Sequence, residues 1–430
     1  MSQGCDERPA KLLIPCRSPV AASYVQHLHV HAWFIDKLIQ RDQKDCRPPG
    51  PSIFELLAVK VAVYLTMIPP KRYEYATISS PSDSSTTVLS MMISAIQNMR
   101  NIEEYHFEMR DLALNPQAQQ FLYAARQAFS STLRSLSLHT SIFRFRSIFS
   151  ATDFGSLAEI SLFLDYYSVG SYDPRRVEEA QEVERRELEE VVAPFLNRYK
   201  DTLTSLSLSS ASSADLSPLF RALCTFPSLR RFSSNIYMDE PHLSDVEVLV
   251  NFLHRHRSSL LFLDLKTCTP DEGIGNAAQR REQSWLRVQN GLMLKPDIFD
   301  SLEAVHIPCW QVDFATVLLK SYTSKSLTHL SLKERSWNIH ELARILDLFA
   351  DRPLQLQSLL IHVRYLGPAE LRLLSRRLLG LQCLVIFFDM YAGFQDELQV
   401  RRPAITLTLS SFPRLIDTVP YSHCYLLSAS

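Results

Sequence analysis

The chain has 430 residues, 46% of them hydrophobic, which is enough for a core in two or three ordinary domains or in one long repeat domain. Its 45 basic and 46 acidic side chains leave a formal net charge of −1, so there is no whole-molecule field to draw in nucleic acid or an anionic membrane. Eight dispersed cysteines form no CxxC pair, the pattern of reduced thiols in the cytoplasm or nucleus.

Residues 1–20 are expected to be a flexible N-terminal segment, with charge where a signal peptide needs an unbroken apolar core. From residue 21 a frame of the form L-x-x-L-x-L begins in weak copies. VQHLHV supplies Val25, Leu28 and Val30, PKRYEY supplies Tyr73 and Tyr75, and IEEYHF supplies Ile102, Tyr105 and Phe107. Between the first two lies the best apolar run, IFELLAVKVAVYLTMI, which Glu55 and Lys60 interrupt, so no membrane span is expected. Clear copies start at Leu133, Leu157, Leu203, Leu260, Leu302, Leu327, Leu356 and Leu381, with a partial one at Leu229 and Phe232. In each copy the last two apolar positions are two apart, the period of a strand with one buried face. ITLTL, from Ile405 to Leu409, adds a further strand.

Between the strands the period becomes helical. Leu216, Leu219, Phe220 and Leu223 follow i, i+3, i+4, i+7, as do Val246, Leu249, Val250 and Leu253, and Leu342, Ile345, Leu346 and Phe349. Asp215, Ser244 with Asp245, and Asn338 stand where N-caps are needed, and Pro368 suits the first turn of a helix bearing Leu371, Leu374 and Leu378. One signature returning every 24 to 46 residues favours stacked strand-helix units over a doubly wound sheet. The expected fold is an α/β leucine-rich-repeat solenoid over residues 21–410, horseshoe-like, with parallel strands on the concave face, helices outside and residues 411–430 as tail or cap.

Two insertions interrupt the repeat. About residues 172–200 form a long helix, in which eleven of the sixteen residues from Arg175 to Glu190 are charged. Its apolar stripe is Leu188, Val191, Val192 and Phe195, and its first half is expected to project into solvent. About residues 267–285 form a second, loop-like insertion, and the stretch from Ser79 to Val88 is a polar loop.

Candidate chemistry is sparse. GIGNAA, from Gly273 to Ala278, satisfies G-x-G-x-x-A but does not follow a strand directly, as a pyrophosphate-binding turn must. HLHVH places His27, His29 and His31 on one strand face, where imidazoles can converge on zinc; no motif supplies the remaining ligands, and exposed histidines are the simpler reading. The same reading extends to His254 and His256 in HRHR. No nucleophile elbow, HExxH or P-loop occurs, so no catalytic residue, metal or cofactor is expected. The basic stretches HRHRSS and AQRREQ lack interleaved aromatics, which argues against nucleic acid as a partner.

With the repeat leucines inward, the residues between them line the concave face: Ser135, Ser137 and His139; Ser205, Ser207 and Ser209; Arg231 and Ser233; Phe262, Asp264 and Lys266; His306; His329, Ser331 and Lys333; His362 and Phe387. A parallel sheet presenting such a mixture suits a protein partner and needs no deep pocket. The alternatives are an enzyme using an insertion loop, for which Cys268 and Asp271 beside GIGNAA are the local candidates, and a family member with no retained activity.

The phrases STLRSLSLHTS, DFGSLAEISLFLD, DTLTSLSLSS, FPSLRRFSS and KSLTHLSLKE resemble the F-box-like leucine-rich-repeat proteins of fungi, which have ribonuclease-inhibitor-like repeats. The resemblance extends over about Tyr24 to Phe388. It implies that the repeats capture a protein destined for ubiquitination, as in substrate-recognition subunits of SCF-type ubiquitin ligases. The family's F-box, which docks a Skp-type adaptor, opens with a Leu-Pro-x-Glu-like turn, and KLLIPCRSPV does not match it. Substrate capture is therefore implied, while a Skp-type adaptor is not supported as a partner.

Overall fold

The computed structural model describes residues 16, 18–31, 85–108, 116–149, 154–165, 174–212, 214–267, 277–308, 312–321, 327–350, 356–378, 380–391 and 404–408. The chain divides into two compact units, Met1–Ser228 and Leu229–Ser430. In each, every L-x-x-L-x-L phrase within the described residues has become one rung of a stack.

In the first unit the strands are β1 (His27–His31), β2 (Glu104–Glu108), β3 (Ser135–Ser141), β4 (Glu159–Asp165) and β5 (Ser205–Ser210). They pair in chain order and all in parallel. The second unit holds β6 (Arg231–Asn235), β7 (Phe262–Lys266), β8 (Ala304–His306), β9 (His329–Trp337), β10 (Ser358–Leu366), β11 (Cys383–Tyr391) and β12 (Ala404–Thr408). These too pair in chain order, in parallel as far as β11. The two units are thus both α/β solenoids of leucine-rich-repeat type.

Three differences from the sequence expectation stand out. First, β12 is antiparallel to β11 rather than another parallel rung. Second, β1 pairs directly with β2, two copies that are not adjacent in the sequence; the weak copy at Tyr73 and Tyr75 lies outside the described residues. Third, the insertion helix is not uniform: α-helical turns Pro174–Glu187 and Ala193–Asn197 flank a π-helical turn at Leu188–Val192.

The rungs stack because each one's apolar residues and backbone need a neighbour. Leu133, Leu136 and Leu138, and likewise Leu203, Leu206 and Leu208, are buried, and each such leucine stabilises by about 1.5–3 kcal/mol relative to leaving it in water. The weak copies obey the same frame, with Val25, Leu28, Val30, Ile102, Tyr105 and Phe107 all buried. At the start of each strand one carbonyl accepts from two successive amides of the next rung. Glu103 serves Arg134 and Ser135, Arg134 serves Ala158 and Glu159, and Ala158 serves Thr204 and Ser205. Arg230, Leu261, Glu303, Thr328 and Gln357 repeat the arrangement in the second unit. Hydroxyls preceding the first leucine add a tie to the rung before. Thr132 Oγ1 donates to the Ile102 carbonyl at 2.8 Å and Thr202 Oγ1 to the Leu157 carbonyl at 2.7 Å. Isolated rungs would leave these groups to water, which is why repeats of this kind fold only as stacks.

The helices follow their expected stripes. Leu216, Leu219, Phe220 and Leu223 are buried around Ser217–Ala222, as are Leu249, Val250 and Leu253 on Val246–Arg255 and Leu342, Ile345 and Leu346 on Ile339–Ala350. Asp245 caps Val246–Arg255 by accepting from the Glu247 amide. Asn338 and Glu341 form a reciprocal capping box, each side chain accepting from the other's amide at 3.0 and 3.1 Å. Helix Ala277–Met293 passes close to Val246–Arg255 at Gly291, where a Cβ would lie 2.9 Å from Val250 Cγ2. His256, just past Val246–Arg255, corrects the expectation of an exposed histidine. It is buried, its Nδ1 lies 2.6 Å from the Phe252 carbonyl, and burial holds its pKa below the ordinary value. His254 instead pairs with Asp297 at 2.9 Å.

The charged insertion is more engaged than a solvated arm. Arg146 bridges to Glu187 and Glu190 at 2.8 and 3.2 Å. Glu184 is buried and accepts a 2.7 Å hydrogen bond from the Ser212 hydroxyl, beyond the end of β5. Burial pushes the Glu184 carboxyl above its ordinary pKa, and the Ser212 bond offsets this only in part. The sign follows: a carboxyl raised in the folded state costs stability once pH rises through that raised pKa, and the cost vanishes below the unfolded value. Glu184→Gln keeps an acceptor for Ser212 and removes the buried charge. It is expected to raise the thermal midpoint at neutral pH, with the advantage over wild type shrinking as both are acidified. Equal midpoints at neutral pH would show that the charge is not confined.

Candidate functional site

Strand register turns the outward side chains into rows across the sheet. In the first unit one row runs His27, Glu104, Ser135, Glu159, Ser205 and the next His29, His106, Ser137, Ser161, Ser207. A third runs Glu108, His139, Phe163, Ser209. The expected positions Ser135, Ser137, His139, Ser205, Ser207 and Ser209 all stand on this outward, half-buried face.

Neighbours in these rows are joined through their side chains. The Glu104 carboxylate sits between two imidazoles of β1, 2.8 Å from His27 Nδ1 and 3.8 Å from His29 Nε2. The His29 ring stacks on His106 with centroids 5.2 Å apart, and His106 Nδ1 lies 2.8 Å from the Ser137 hydroxyl. On β3, His139 bridges two carboxylates from the flanking strands, Glu108 at 3.6 Å and Asp165 at 3.2 Å, while its ring leans on Phe163 at 4.1 Å. Among the described residues no group of three or more His, Cys, Asp or Glu is placed to hold a metal ion.

The second unit has a different centre. Arg231, Phe262, Ala304 and His329 share one row, and Ser233, Asp264, His306 and Ser331 the next. Asp264 is nearly buried, with His306 Nδ1 2.8 Å from Oδ1, Lys266 Nζ 2.6 Å from Oδ2 and the Ser233 hydroxyl donating at 3.3 Å. Burial pushes the Asp264 carboxyl upward, but His306 and Lys266 outweigh it and hold the pKa below the ordinary value. The ionised form is therefore the stable one at neutral pH, and the support it gives the fold is lost as pH falls through that lowered pKa. Beside this cluster the Arg231 guanidinium lies over the Phe262 ring at 4.8 Å.

Toward the C-terminal end the expected face changes character. His362 is buried and bonded to Asp389 at 2.8 Å, with Phe387 edge-on at 6.5 Å. Ser331 is also buried, and His329 is exposed with Thr328 Oγ1 2.7 Å from its Nδ1. Lys333 departs from the simple register: Leu332 aligns with Ile361 but Ser336 with His362, so Lys333 to Arg335 form a bulge with no partners on β10. The carboxylates Glu104, Glu108, Asp165 and Asp389, and His106, were missed as members of the face. Glu104, His106 and Glu108 stand in a weak copy of the frame, and Asp165 and Asp389 lie three residues past the last apolar position of clear copies, where the strands run on beyond the L-x-x-L-x-L phrase.

The insertion candidates Cys268, Asp271 and Gly273 lie outside the described residues, and a helix begins at Ala277. Cys16, Cys224 and Cys383 form no disulfide. No helix among the described residues is long and apolar enough to cross a membrane.

No protein-family model matches the chain, and no curated protein matches it. Among solved structures, the chain is similar to one from the yeast Rad7 and Elc1 complex, with 14% identity and a TM-score of 0.43 over 73% of this chain and 76% of that one. At that TM-score the likeness carries no argument, and the fold rests on the repeat and the strand order.

Proposed function

We propose that the chain is a non-enzymatic protein-binding module, acting as a substrate-recognition subunit of the kind found in SCF-type ubiquitin ligases. The observation that supports this most is the Arg231–Phe262 pair standing beside the Asp264–His306–Lys266 cluster. Arginine and aromatic side chains are the usual energetic anchors of protein interfaces. Here cross-strand contacts already order them, so less conformational entropy is lost on binding. The resemblance of the repeat phrases to those of F-box-like proteins supports the choice of a ubiquitin-ligase context.

The test changes the anchors while sparing the buried carboxylate. Arg231→Glu, Phe262→Ala and Lys266→Gln together are expected to abolish recovery of a stoichiometric partner from the native cell, with the folded circular-dichroism spectrum retained and the melt lowered only by the loss of the Lys266–Asp264 pair. Arg372→Glu, on the exposed side of helix Pro368–Arg377, is expected to leave recovery intact. Undiminished recovery by the triple variant would remove the second-unit face from consideration.

A further inference from the structure

A cavity of about 30 Å³ lies inside the first unit, between the rungs of β2 and β3 and the helices Pro116–Phe129 and Phe145–Phe149. Phe107, Leu136 and Leu138 line it from the strands and Phe129 from the first of these helices, all of them buried. Leu122, Arg126 and Ile148 also line it and are half-buried, so its mouth is on the helical side, away from the outward rows.

One polar group belongs to this interior. Tyr105 lines the cavity with its ring against Phe107 and Phe129, at 5.8 and 4.9 Å between centroids. Its hydroxyl is buried and has no hydrogen-bond partner among the described residues. Burial pushes its pKa well above the ordinary value, so the hydroxyl keeps its proton and remains a donor at any ordinary pH. The stack has no use for that donor, since the aligned positions on the other strands are Leu28, Leu136, Ile160 and Leu206, which have none. A buried donor with nothing to bond costs stability, and an occupant of the cavity that accepts from it removes the cost.

Size and chemistry select the occupant. A cavity of 30 Å³ has room for about two or three water-sized groups. Water itself needs about two to four polar partners, which these apolar walls do not supply. The Arg126 guanidinium is held over the ring of the exposed Tyr123 at 5.2 Å, so its charge stays at the mouth. An ionised group inside would lose its hydration without compensation. A neutral molecule of about three or four non-hydrogen atoms with one acceptor oxygen meets each of these conditions.

We infer that this cavity binds a small neutral organic molecule, a short alkyl body carrying one carbonyl or hydroxyl oxygen, with Tyr105 donating to that oxygen. The site lies in the core and is independent of the protein-binding reading. Its walls come from adjacent rungs, so an occupant ties β2 to β3 and stabilises the first unit by mass action. So small a ligand makes few contacts, and its dissociation constant is expected to be about millimolar.

The test records methyl NMR spectra of the full chain, labelled at its leucine and isoleucine methyls, during titration with acetone. Saturable shifts are expected at Leu122, Leu136, Leu138 and Ile148, and none at Leu263 and Leu332 of the second unit. Acetate, which has the shape of acetone with a charge added, is expected to leave the same four residues unshifted. Tyr105→Phe keeps the ring and removes the donor. It is expected to weaken acetone about three- to tenfold and to leave binding of xenon, an occupant with no acceptor, unchanged. In the absence of any probe the same variant is expected to melt no lower than wild type, because it gives up an unpaired hydroxyl. Acetone that shifts none of the four residues, acetate that binds as well as acetone, or undiminished acetone binding by Tyr105→Phe would overturn the inference. So would a lowered melt of Tyr105→Phe without probe, since the hydroxyl would then already have a partner.

Discussion

Leu206→Asp is expected to unfold the first unit's stack around β5. Leu206 is fully buried, aligned with Ile160 on β4, and the rung above it offers no hydrogen-bond donor because its inward positions are leucines and isoleucine. The substitution loses about 1.5–3 kcal/mol of apolar burial. It also places a carboxyl in an apolar layer, which costs roughly 2–7 kcal/mol even if the group takes up a proton. The sum rivals the whole stability of an ordinary domain, about 5–15 kcal/mol. Two controls on the same strand separate the face from the position. Ser207→Asp, on the outward side, is expected to change stability by no more than about 0.5 kcal/mol, and Leu206→Met by less than about 1.5 kcal/mol. Denaturant titration by circular dichroism reads all three. Comparable losses for Leu206→Asp and Ser207→Asp would mean that the inward assignment of the frame is wrong.

The contrast between those neighbours also explains what was legible in the sequence. Three apolar positions at fixed spacing identify a strand's buried face wherever the copy is clean, so Leu133, Leu136 and Leu138 located β3 and its outward Ser135, Ser137 and His139 together. Even the weak copy around Tyr105 and Phe107 was legible as a strand. What it bonds to was not, because a contact such as His106 with Ser137 depends on register between rungs 31 residues apart. Nothing local encodes that register. It emerges from the doubled carbonyl acceptance at each strand start, which involves backbone atoms of any residue type.

Direction and local irregularity were hidden for related reasons. Alternation in ITLTL signals a strand but is identical for either direction, so the antiparallel β12 was unreadable. Spacings of four and three from Leu188 to Val192 to Phe195 fit an α-helix as well as the π turn that is present. Glu184 looks like any other charge in a charged run, and only the neighbouring Ser212 in space distinguishes it. The LSLKERSW stretch did hold a signal, since alternation fails at Lys333 to Arg335 and resumes at Trp337, and that break is the bulge.

Trp337→Ala is expected to be the most damaging single truncation on β9, because one side chain both fills the core and closes the bulge. Trp337 is among the largest fully buried side chains, and its indole N–H donates to the Leu332 carbonyl at 2.9 Å, across the bulged residues. Arg335, within the bulge, lies over the indole at 5.0 Å and pairs with Glu341, a member of the capping box of the following helix. Removing the ring costs about 3–5 kcal/mol in lost burial and cavity. It also leaves the Leu332 carbonyl without its donor, a further penalty of about 1–3 kcal/mol. Trp337→Phe separates the two effects, since it retains most of the packing and loses the N–H, and its expected cost is nearer the second figure. In both variants amide exchange in β9 and β10 is expected to accelerate, because Lys333 to Arg335 then have nothing spanning them. If Trp337→Phe proved as costly as Trp337→Ala, packing rather than the hydrogen bond would be the minor contribution. If exchange in β9 stayed at the wild-type rate, the indole would not be what holds the bulge.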